Sequence, residues 1–241
     1  MGTGEVVFLP CALEDVLAHI ADYIGRNKII VDSFWEEHLF ESNVYKMTVC
    51  DEIVGLFAIH DKNTITLFYI SPQNSNQSQD LFAKVKKYEE VTNAMVPTGD
   101  EFFLSQCLDS FSRIEKQAYF AEYTDREILA PRRIAIEMRL ADVDKDYEIL
   151  AICGDFLEDE IKKIRSGTII DYLEIYIAEY NGDVVGFGVV EYGRIIKDIS
   201  SIGMYVCPQF RKKRDSCQYI AAAKAYLFQK RIPCVLRLLV L

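Results

Sequence analysis

The sequence predicts a mixed α/β protein made of two similar units, each with a mainly antiparallel sheet flanked by helices. The first observation is an internal repeat, because residues 45–59 and 176–190 both consist of an apolar strand, a polar turn and a second apolar strand. Aligned without gaps, Gly55 falls on Gly186. The second observation is a third apolar strand after each repeat, which ends at a proline, and the third is a helical pattern after each proline. A sheet with an apolar face needs another layer to cover it, which favours this class.

The first unit contains several helical and strand patterns. Apolar residues recur at helical spacing near the N-terminus, and alternating residues predict a strand at the end of the unit. Thr98, followed three residues later by Glu101, has the spacing of a capping box and predicts a helix start. The predicted elements are a helix over 13–24, a hairpin over 45–59, a strand ending at Pro72, a helix over 78–91, a helix after Thr98 and a strand over 118–123.

The second unit repeats this order with a clearer turn. Asn181-Gly182-Asp183 is a strong hairpin signal, and acidic residues from Asp142 onward favour a helix start there. The predicted elements are a strand over 134–140, a helix from Asp142, a hairpin over 176–190, a strand ending at Pro208, a helix over 215–230 and a strand over 232–241. Pro131 and neighbouring charges interrupt the pattern, so the predicted domains are 1–125 and 133–241.

Composition and charge exclude several classes of protein. Half of the residues are apolar, yet no apolar run reaches the roughly 18 residues of a membrane helix. The formal charge is −10, with 10 basic and 21 acidic side chains in residues 1–130 against 17 and 16 in residues 131–241. A nucleic-acid partner is not expected, because a phosphate backbone needs a broad basic surface. The acidity of the first half serves solubility or attracts a cationic amine.

The cysteines and acidic clusters do not predict a metal site. The seven cysteines include no CxxC pair, so neither a disulfide framework nor a zinc knuckle is expected. The acidic run that begins at Asp142 resembles the start of a calcium loop, but Tyr147 stands where that loop requires glycine. The N-terminus lacks the basic start and apolar stretch of a signal peptide, which predicts a cytoplasmic protein.

The second unit resembles the GNAT superfamily of acyl-CoA N-acyltransferases. The resemblance rests on the Asn181-Gly182-Asp183 turn, the strand Val185-Gly186-Phe187-Gly188, the strand Met204-Tyr205-Val206-Cys207-Pro208 and the basic residues that begin at Arg211. In the family, such a strand leads to a loop of the form Q/R-x-x-G-x-G/A that opens a helix and binds the pyrophosphate of acetyl-CoA. Free N–H groups and the positive end of the helix dipole make that loop an anion site.

The resemblance implies a set of cofactor-binding residues at the end of this strand. Arg211 matches the first position of the loop motif, Arg214 stands in place of the first glycine and Ser216 in place of the second small residue. A Cβ at position 214 crowds the approach of a phosphate, whereas the run of cations favours it. The implied acetyl-CoA contacts are Met204, Val206, Arg211, Lys212, Lys213, Arg214, Asp215 and Ser216.

Both units depart from the family pattern. The second ends after the strand over 232–241, without the family's last helix and hairpin. The first resembles the family more weakly, and its loop over 73–78 has neither glycine nor basic residues, so it is expected to be a degenerate copy without acetyl-CoA.

The chemistry that the resemblance implies is direct acyl transfer from a thioester to an amine. A general base takes a proton from the ammonium, and a backbone N–H on the strand before the loop polarises the carbonyl. Glu191 is the candidate base, and Tyr205 is the alternative polar group. The expected protein is an N-acetyltransferase acting on a small-molecule or peptide amine, with a homodimer as an open possibility. The alternative is a non-catalytic binding or structural module of the same fold.

Overall fold

The computed structural model describes residues 5–88, 90–122, 136–151, 158–197, 199–211 and 234–239. The chain divides into two compact units, Met1–Gln117 and Ala118–Leu241. The strands are β1 (Val7–Cys11), β2 (Asn43–Val49), β3 (Glu52–His60), β4 (Thr64–Ile70), β5 (Asn93–Ala94), β6 (Ala118–Glu122), β7 (Glu137–Leu140), β8 (Leu173–Tyr180), β9 (Asp183–Tyr192), β10 (Ser200–Val206) and β11 (Cys234–Leu239). The helices are α1 (Leu17–Asn27), α2 (Ser33–Phe40), α3 (Ser78–Lys86), α4 (Glu101–Ser110), α5 (Tyr147–Ala151) and α6 (Glu158–Arg165).

Each unit contains one mixed sheet, as the predicted fold class requires. The first sheet has the order β1-β2-β3-β4-β5, and the second has the order β6-β11-β10-β9-β8-β7. In the first, β1 to β4 are antiparallel neighbours and only β4 and β5 are parallel. In the second, β7 to β10 are antiparallel neighbours and only β10 and β11 are parallel.

The strand β6 belongs to the second sheet. It pairs antiparallel with β11, from Glu122 opposite Val235 to Ala118 opposite Leu239. The sequence predicted this strand as part of the first unit, and that assignment is wrong. Of the strand predicted over 232–241, the described residues Cys234–Leu239 form β11, which lies between β10 and β6.

The two central hairpins share register and irregularity. In the first, Met47 faces Gly55 and the register shifts after Met47. In the second, Ala178 faces Gly186 and the register shifts after Ala178. These are equivalent positions of the sequence repeat, so the two hairpins agree in the placement of a β-bulge.

Tight turns close both hairpins. Cys50 and Asp51 have φ of 50° and 67°, and Asn181 and Gly182 have φ of 52° and 85°. Positive φ at both central residues matches the right-handed twist of the flanking strands. The hairpins predicted at these turns are confirmed, although Cys50 is an unusual residue for such a turn.

A close backbone approach explains the repeated glycine. A Cβ at Gly55 or at Gly186 would lie closer than 3.0 Å to the carbonyl oxygen of Tyr69 or of Tyr205, respectively. Both tyrosines occupy the same place, three residues before the proline that follows the strand. The neighbouring strand therefore admits only glycine at this point without a backbone shift.

The helix starts differ in detail from the predictions. The N-cap of α4 is Asp100, whose carboxylate accepts a hydrogen bond from the N–H of Phe103 at 3.0 Å. The sequence predicted a helix here, but with Thr98 as its cap, which is wrong because Asp100 already satisfies that N–H. In the second unit Asp142 caps a turn rather than a helix, and α5 begins at Tyr147.

Each unit has its own apolar core. The core of the first unit is aromatic, with Phe57, Phe68, Phe82 and Phe103 each at most 1% exposed. The core of the second unit is formed by β8, β9, α5 and α6, and Ile177 and Phe187 are among its most buried side chains. Within the described residues, no helix is long and apolar enough to cross a membrane. The helix predicted over 215–230 lies outside the described residues.

Candidate functional site

The parallel strands of the second sheet separate partway along their length. They pair only from Ser200 opposite Cys234 to Ile202 opposite Leu236. Beyond that point β10 continues to Val206 with β9 on one side, while β11 continues beside β6. The first three residues of β10 are buried and the last four are half-buried. The second half of β10 therefore presents an accessible edge.

The direction of the backbone groups along this edge follows from strand alternation. The N–H of Cys207 donates to the carbonyl of Val185 on the β9 side, at 2.9 Å. Because successive backbone groups of a strand point to opposite sides, the N–H groups of Met204 and Val206 point away from β9. They face the gap that opens beside β10. These are two of the residues that the sequence resemblance assigned to acetyl-CoA.

An aromatic stack supports the end of this strand. The ring of Tyr205 stacks on Phe187, with ring centroids 5.2 Å apart. The guanidinium of Arg211 lies over Tyr205, 4.8 Å from the ring centroid. Nε of Arg211 donates to the carbonyl of Val206 at 2.8 Å. The structure thus brings Arg211 back onto the strand end and fixes its cation beside the open edge.

The candidate base lies farther along the sheet. Glu191 is on β9, opposite Leu173 and Ser201. It shares a face with Phe187, whose strand partner is Tyr205, but stands four residues away, about 13 Å along the strand. The structure therefore does not bring Glu191 and Tyr205 into contact, although both side chains project from the same face.

The remaining predicted cofactor contacts cannot be placed. Lys212, Lys213, Arg214, Asp215 and Ser216 lie outside the described residues. Before them, Pro208–Phe210 forms one turn of 3-10 helix that leads from β10 to Arg211. That turn is closed by the N–H of Arg211, which donates to the carbonyl of Pro208 at 3.2 Å.

The nearby cysteine is a packing residue. Cys207 is 1% exposed, and its thiol lies 3.8 Å from the carbonyl of Val184. Burial raises the pKa of the Cys207 thiol, which disfavours the nucleophilic thiolate. This geometry agrees with the sequence interpretation, which did not assign it a catalytic role.

The equivalent gap of the first sheet is closed. There β4 and β5 pair only at Thr64–Asn93 and Ile65–Ala94 before they separate. From Ile65 to the end of β4 every residue is nevertheless buried. Trp35 of α2 packs against this strand, and its Nε1 donates to the carbonyl of Thr66 at 3.0 Å.

A buried polar pair joins α1 to the start of α4 in the first unit. The hydroxyl of Tyr23 on α1 donates to the carboxylate of Asp100, the cap of α4, at 2.5 Å. Both residues are at most 5% exposed. Burial raises the pKa of both side chains, and the neighbouring Asp100 charge raises that of Tyr23 further. No local sequence pattern predicts this pair, because its members are 77 positions apart.

A hairpin, a third strand that ends at a proline and a further strand beside it are the order of elements on which the sequence resemblance to the GNAT superfamily rests. The comparisons agree with that resemblance. Residues 12–124 match the family model described as an acetyltransferase (GNAT) domain. Residues 12–124 of this chain are therefore similar to the GNAT acetyltransferase family. The match falls on the first unit, which the sequence analysis expected to be the degenerate copy.

Solved structures resemble the chain over nearly its whole length. A GNAT-family acetyltransferase from Colwellia psychrerythraea is 14% identical, with a TM-score of 0.81, over 97% of this chain and 89% of that one. A GCN5-related N-acetyltransferase from Sphaerobacter thermophilus is 12% identical, with a TM-score of 0.63, over 97% and 86%. A tandem GNAT protein from the clavulanic acid biosynthesis pathway is 11% identical, with a TM-score of 0.54, over 97% and 90%. At such identities the likeness shows the fold. No curated protein matches the sequence.

Proposed function

We propose that this protein is an acyl-CoA-dependent N-acyltransferase whose acyl site is the open edge of β10 in the second unit. The observation that carries this proposal is the divergence of β10 and β11 after Ile202, which leaves the N–H groups of Met204 and Val206 facing the gap. The carbonyl of a bound thioester accepts a hydrogen bond from such an N–H, and the bond strengthens as negative charge develops on the oxygen.

The second unit is favoured over the first because its gap is accessible. The same divergence in the first sheet is buried along β4. The loop after β4 is a 3-10 helix over Pro72–Gln77 without a basic residue. In the second unit Arg211 stands at the corresponding exit, with its cation held on the strand end. An anionic acyl carrier is therefore expected at β10 and not at β4.

Acyl transfer at this edge needs a proton acceptor for the attacking amine. A base first takes one proton from the ammonium. The free amine nitrogen then forms a bond to the thioester carbon, the carbon–sulfur bond breaks, and coenzyme A leaves as a thiolate that takes up the second proton released from the nitrogen. Glu191 stands opposite Ser201, before the point at which β10 and β11 separate. A proton therefore reaches Glu191 from this edge only through intervening water. Tyr205 lies beside Met204 and Val206, and its hydroxyl is the alternative group that exchanges a proton there.

We also infer that the two units are copies of one fold. The support is the shared sheet order, the common bulge and the paired glycines at Gly55 and Gly186. The hydrogen bond after each third strand is also repeated. The N–H of Ser71 donates to the carbonyl of Val54 at 2.9 Å, and the N–H of Cys207 donates to that of Val185 at 2.9 Å.

Calorimetry with acetyl-CoA tests the proposal. Arg211→Glu should weaken acetyl-CoA binding by about tenfold or more, since a charge-assisted hydrogen bond to the anion becomes a like-charge contact. The matched control is Arg113→Glu, which makes the same charge change at an exposed position of the first unit. That control should bind as the parent protein does.

The outcome also separates the enzyme from the non-catalytic alternative. Binding of acetyl-CoA together with its slow hydrolysis or its transfer to an added amine supports the transferase. No binding by the parent protein would remove the proposal and leave a GNAT-shaped scaffold. Equal loss in both arginine variants would show a general electrostatic effect instead of a site at β10.

A further inference from the structure

The hairpin turn of the second unit contains an asparagine followed directly by a glycine. Asn181 is the one asparagine of the chain with this neighbour. Asn181 and Gly182 join β8 to β9, and both residues are exposed. Their φ values of 52° and 85° lie in the left-handed region. The turn therefore presents a side-chain amide and the backbone nitrogen of the next residue to solvent.

The backbone nitrogen of Gly182 is accessible. Glycine has no side chain to cover its nitrogen, and a Cβ built at Gly182 would meet no atom within 4 Å. The strand pair next to the turn is Tyr180 with Asp183, so only this end of the hairpin must open for the backbone to rotate. Such an opening is local and does not require the unit to unfold. Solvent base therefore reaches the nitrogen while the rest of the sheet stays paired.

The side chain of Asn181 is not held by the fold. Its amide has no hydrogen-bond partner among the described residues. Asn63, an exposed asparagine at the β3–β4 turn, differs because its Oδ1 accepts a hydrogen bond from the hydroxyl of Thr64 at 2.7 Å. The β-branched side chain of Thr64 also crowds the nitrogen that follows Asn63. Asn63 therefore provides a matched comparison within the same molecule.

We propose that Asn181 is a site of spontaneous deamidation through a cyclic succinimide. The backbone nitrogen of Gly182 loses its proton to solvent base and attacks Cγ of Asn181. The N–Cγ bond forms, the Cγ–Nδ2 bond breaks, and Nδ2 takes a proton from water and leaves as ammonia. A second water molecule then opens the five-membered ring at one of its two carbonyl carbons. Addition of water at Cγ gives aspartate, and addition at the main-chain carbonyl gives isoaspartate.

The two products have different consequences for the hairpin. Aspartate followed by glycine suits a turn of this type, so that product adds a negative charge and keeps the turn. Isoaspartate adds one carbon atom to the main chain between the two strands. A longer connection no longer fits the two-residue turn and weakens the adjacent pair of Tyr180 with Asp183. This inference does not depend on acyl transfer.

Incubation of the folded full-length protein at physiological temperature and mildly alkaline pH tests the inference. Peptide mass spectrometry should show a gain of about 1 Da at Asn181, because an NH₂ group is replaced by a hydroxyl. Isoaspartate should accompany aspartate, and heavy-oxygen water should leave its label on residue 181. The rate should rise with pH, since the attacking nitrogen must first lose its proton. The peptide that contains Asn63 should keep its mass over the same period.

Two variants serve as controls. Asn181→Gln keeps a side-chain amide but requires a six-membered ring, so the mass gain should be lost. Asn181→Asp begins as one of the two products, and its mass should stay constant while it provides the chromatographic reference for aspartate. Circular dichroism checks that each variant is folded.

Three results would overturn the inference. A mass gain that appears only after the protein is unfolded in urea would show that the folded turn protects Asn181. An equal gain at Asn63 would show that the turn confers no selectivity, and aspartate without isoaspartate would exclude the succinimide. None of these results bears on acetyl-CoA binding at β10, so failure of this inference and failure of the proposed function are distinguishable.

Discussion

The ring of Tyr205 contacts two side chains, Phe187 at 5.2 Å and the guanidinium of Arg211 at 4.8 Å. Its neighbours Met204 and Val206 point their N–H groups into the gap. The stack therefore fixes the strand end whose backbone is proposed to bind the thioester. Removing the ring would disturb the backbone donors, whereas removing the hydroxyl alone would not, and this difference makes the role of Tyr205 testable.

The proton acceptor is tested at Glu191. Glu191→Gln should lower kcat by about 10²- to 10⁴-fold while leaving the affinity for acetyl-CoA unchanged, because a general base acts on the amine and not on the cofactor. The matched control is Glu174→Gln on β8. The Glu174 carboxylate accepts a hydrogen bond from Tyr176, and its side chain projects from the opposite face. Steady-state kinetics with a fixed amine compare the two.

Two outcomes would contradict the assignment to Glu191. An unchanged kcat in Glu191→Gln would exclude it as the base. If Tyr205→Phe, which keeps the stacked ring, loses the activity instead, the hydroxyl of Tyr205 is the group that exchanges the proton.

Single residues also show where sequence patterns stop being informative. Thr98 fits the capping-box spacing, yet Asp100 caps α4 because its carboxylate also receives the hydroxyl of Tyr23. That second bond joins two helices that are distant in sequence. Local spacing cannot reveal such a contact, because Tyr23 reaches the Asp100 carboxylate only once α1 packs in the fold.

Among the elements, the paired glycines of β3 and β9 each allow a close approach of the neighbouring strand that a larger residue would prevent. Each glycine lies against the carbonyl of the adjacent strand's tyrosine, next to a register shift. A bulge bends a strand and increases its twist.

Substitution of these glycines tests the constraint. Gly55→Ala and Gly186→Ala should each lower the free energy of unfolding by about 1–3 kcal/mol, as overpacking does, because the added Cβ meets backbone atoms. Gly25→Ala is the control, since a Cβ there meets nothing within 4 Å and the residue is in α1. It should be neutral or stabilising by up to about 1 kcal/mol. Urea denaturation measures all three, and a stable Gly186→Ala would contradict the close approach.

Much of the element order could be predicted from the sequence, whereas strand partners could not. Alternation and turn residues located β2, β3, β4, β8, β9 and β10. The strand β6 was found as well but was assigned to the wrong sheet, because alternation identifies a strand without naming its neighbour. β6 pairs with β11 because that edge of β11 would otherwise have no strand partner.

For the whole molecule, the two sheets share their strand order, but the gaps between their parallel strands differ in burial. The family model matches the first unit, in which β4 is buried from Ile65 to Ile70. The second unit has the accessible strand edge and the basic residue at its exit. We interpret the first unit as a copy whose gap is filled by its own side chains and the second as the acyl-CoA site. The sequence predicted this division from the loop residues, and the burial of β4 supports it.

Hydrogen–deuterium exchange with and without acetyl-CoA tests this division most directly. We predict slower exchange at the amides of Met204, Val206 and Arg211 when acetyl-CoA is bound, because N–H groups that face the gap become hydrogen-bonded and shielded. The amides of β4 and of Pro72–Gln77 should exchange at the same rate in both states. Protection of β4 or of that loop, with no change along β10, would contradict the account and place the acyl site in the first unit.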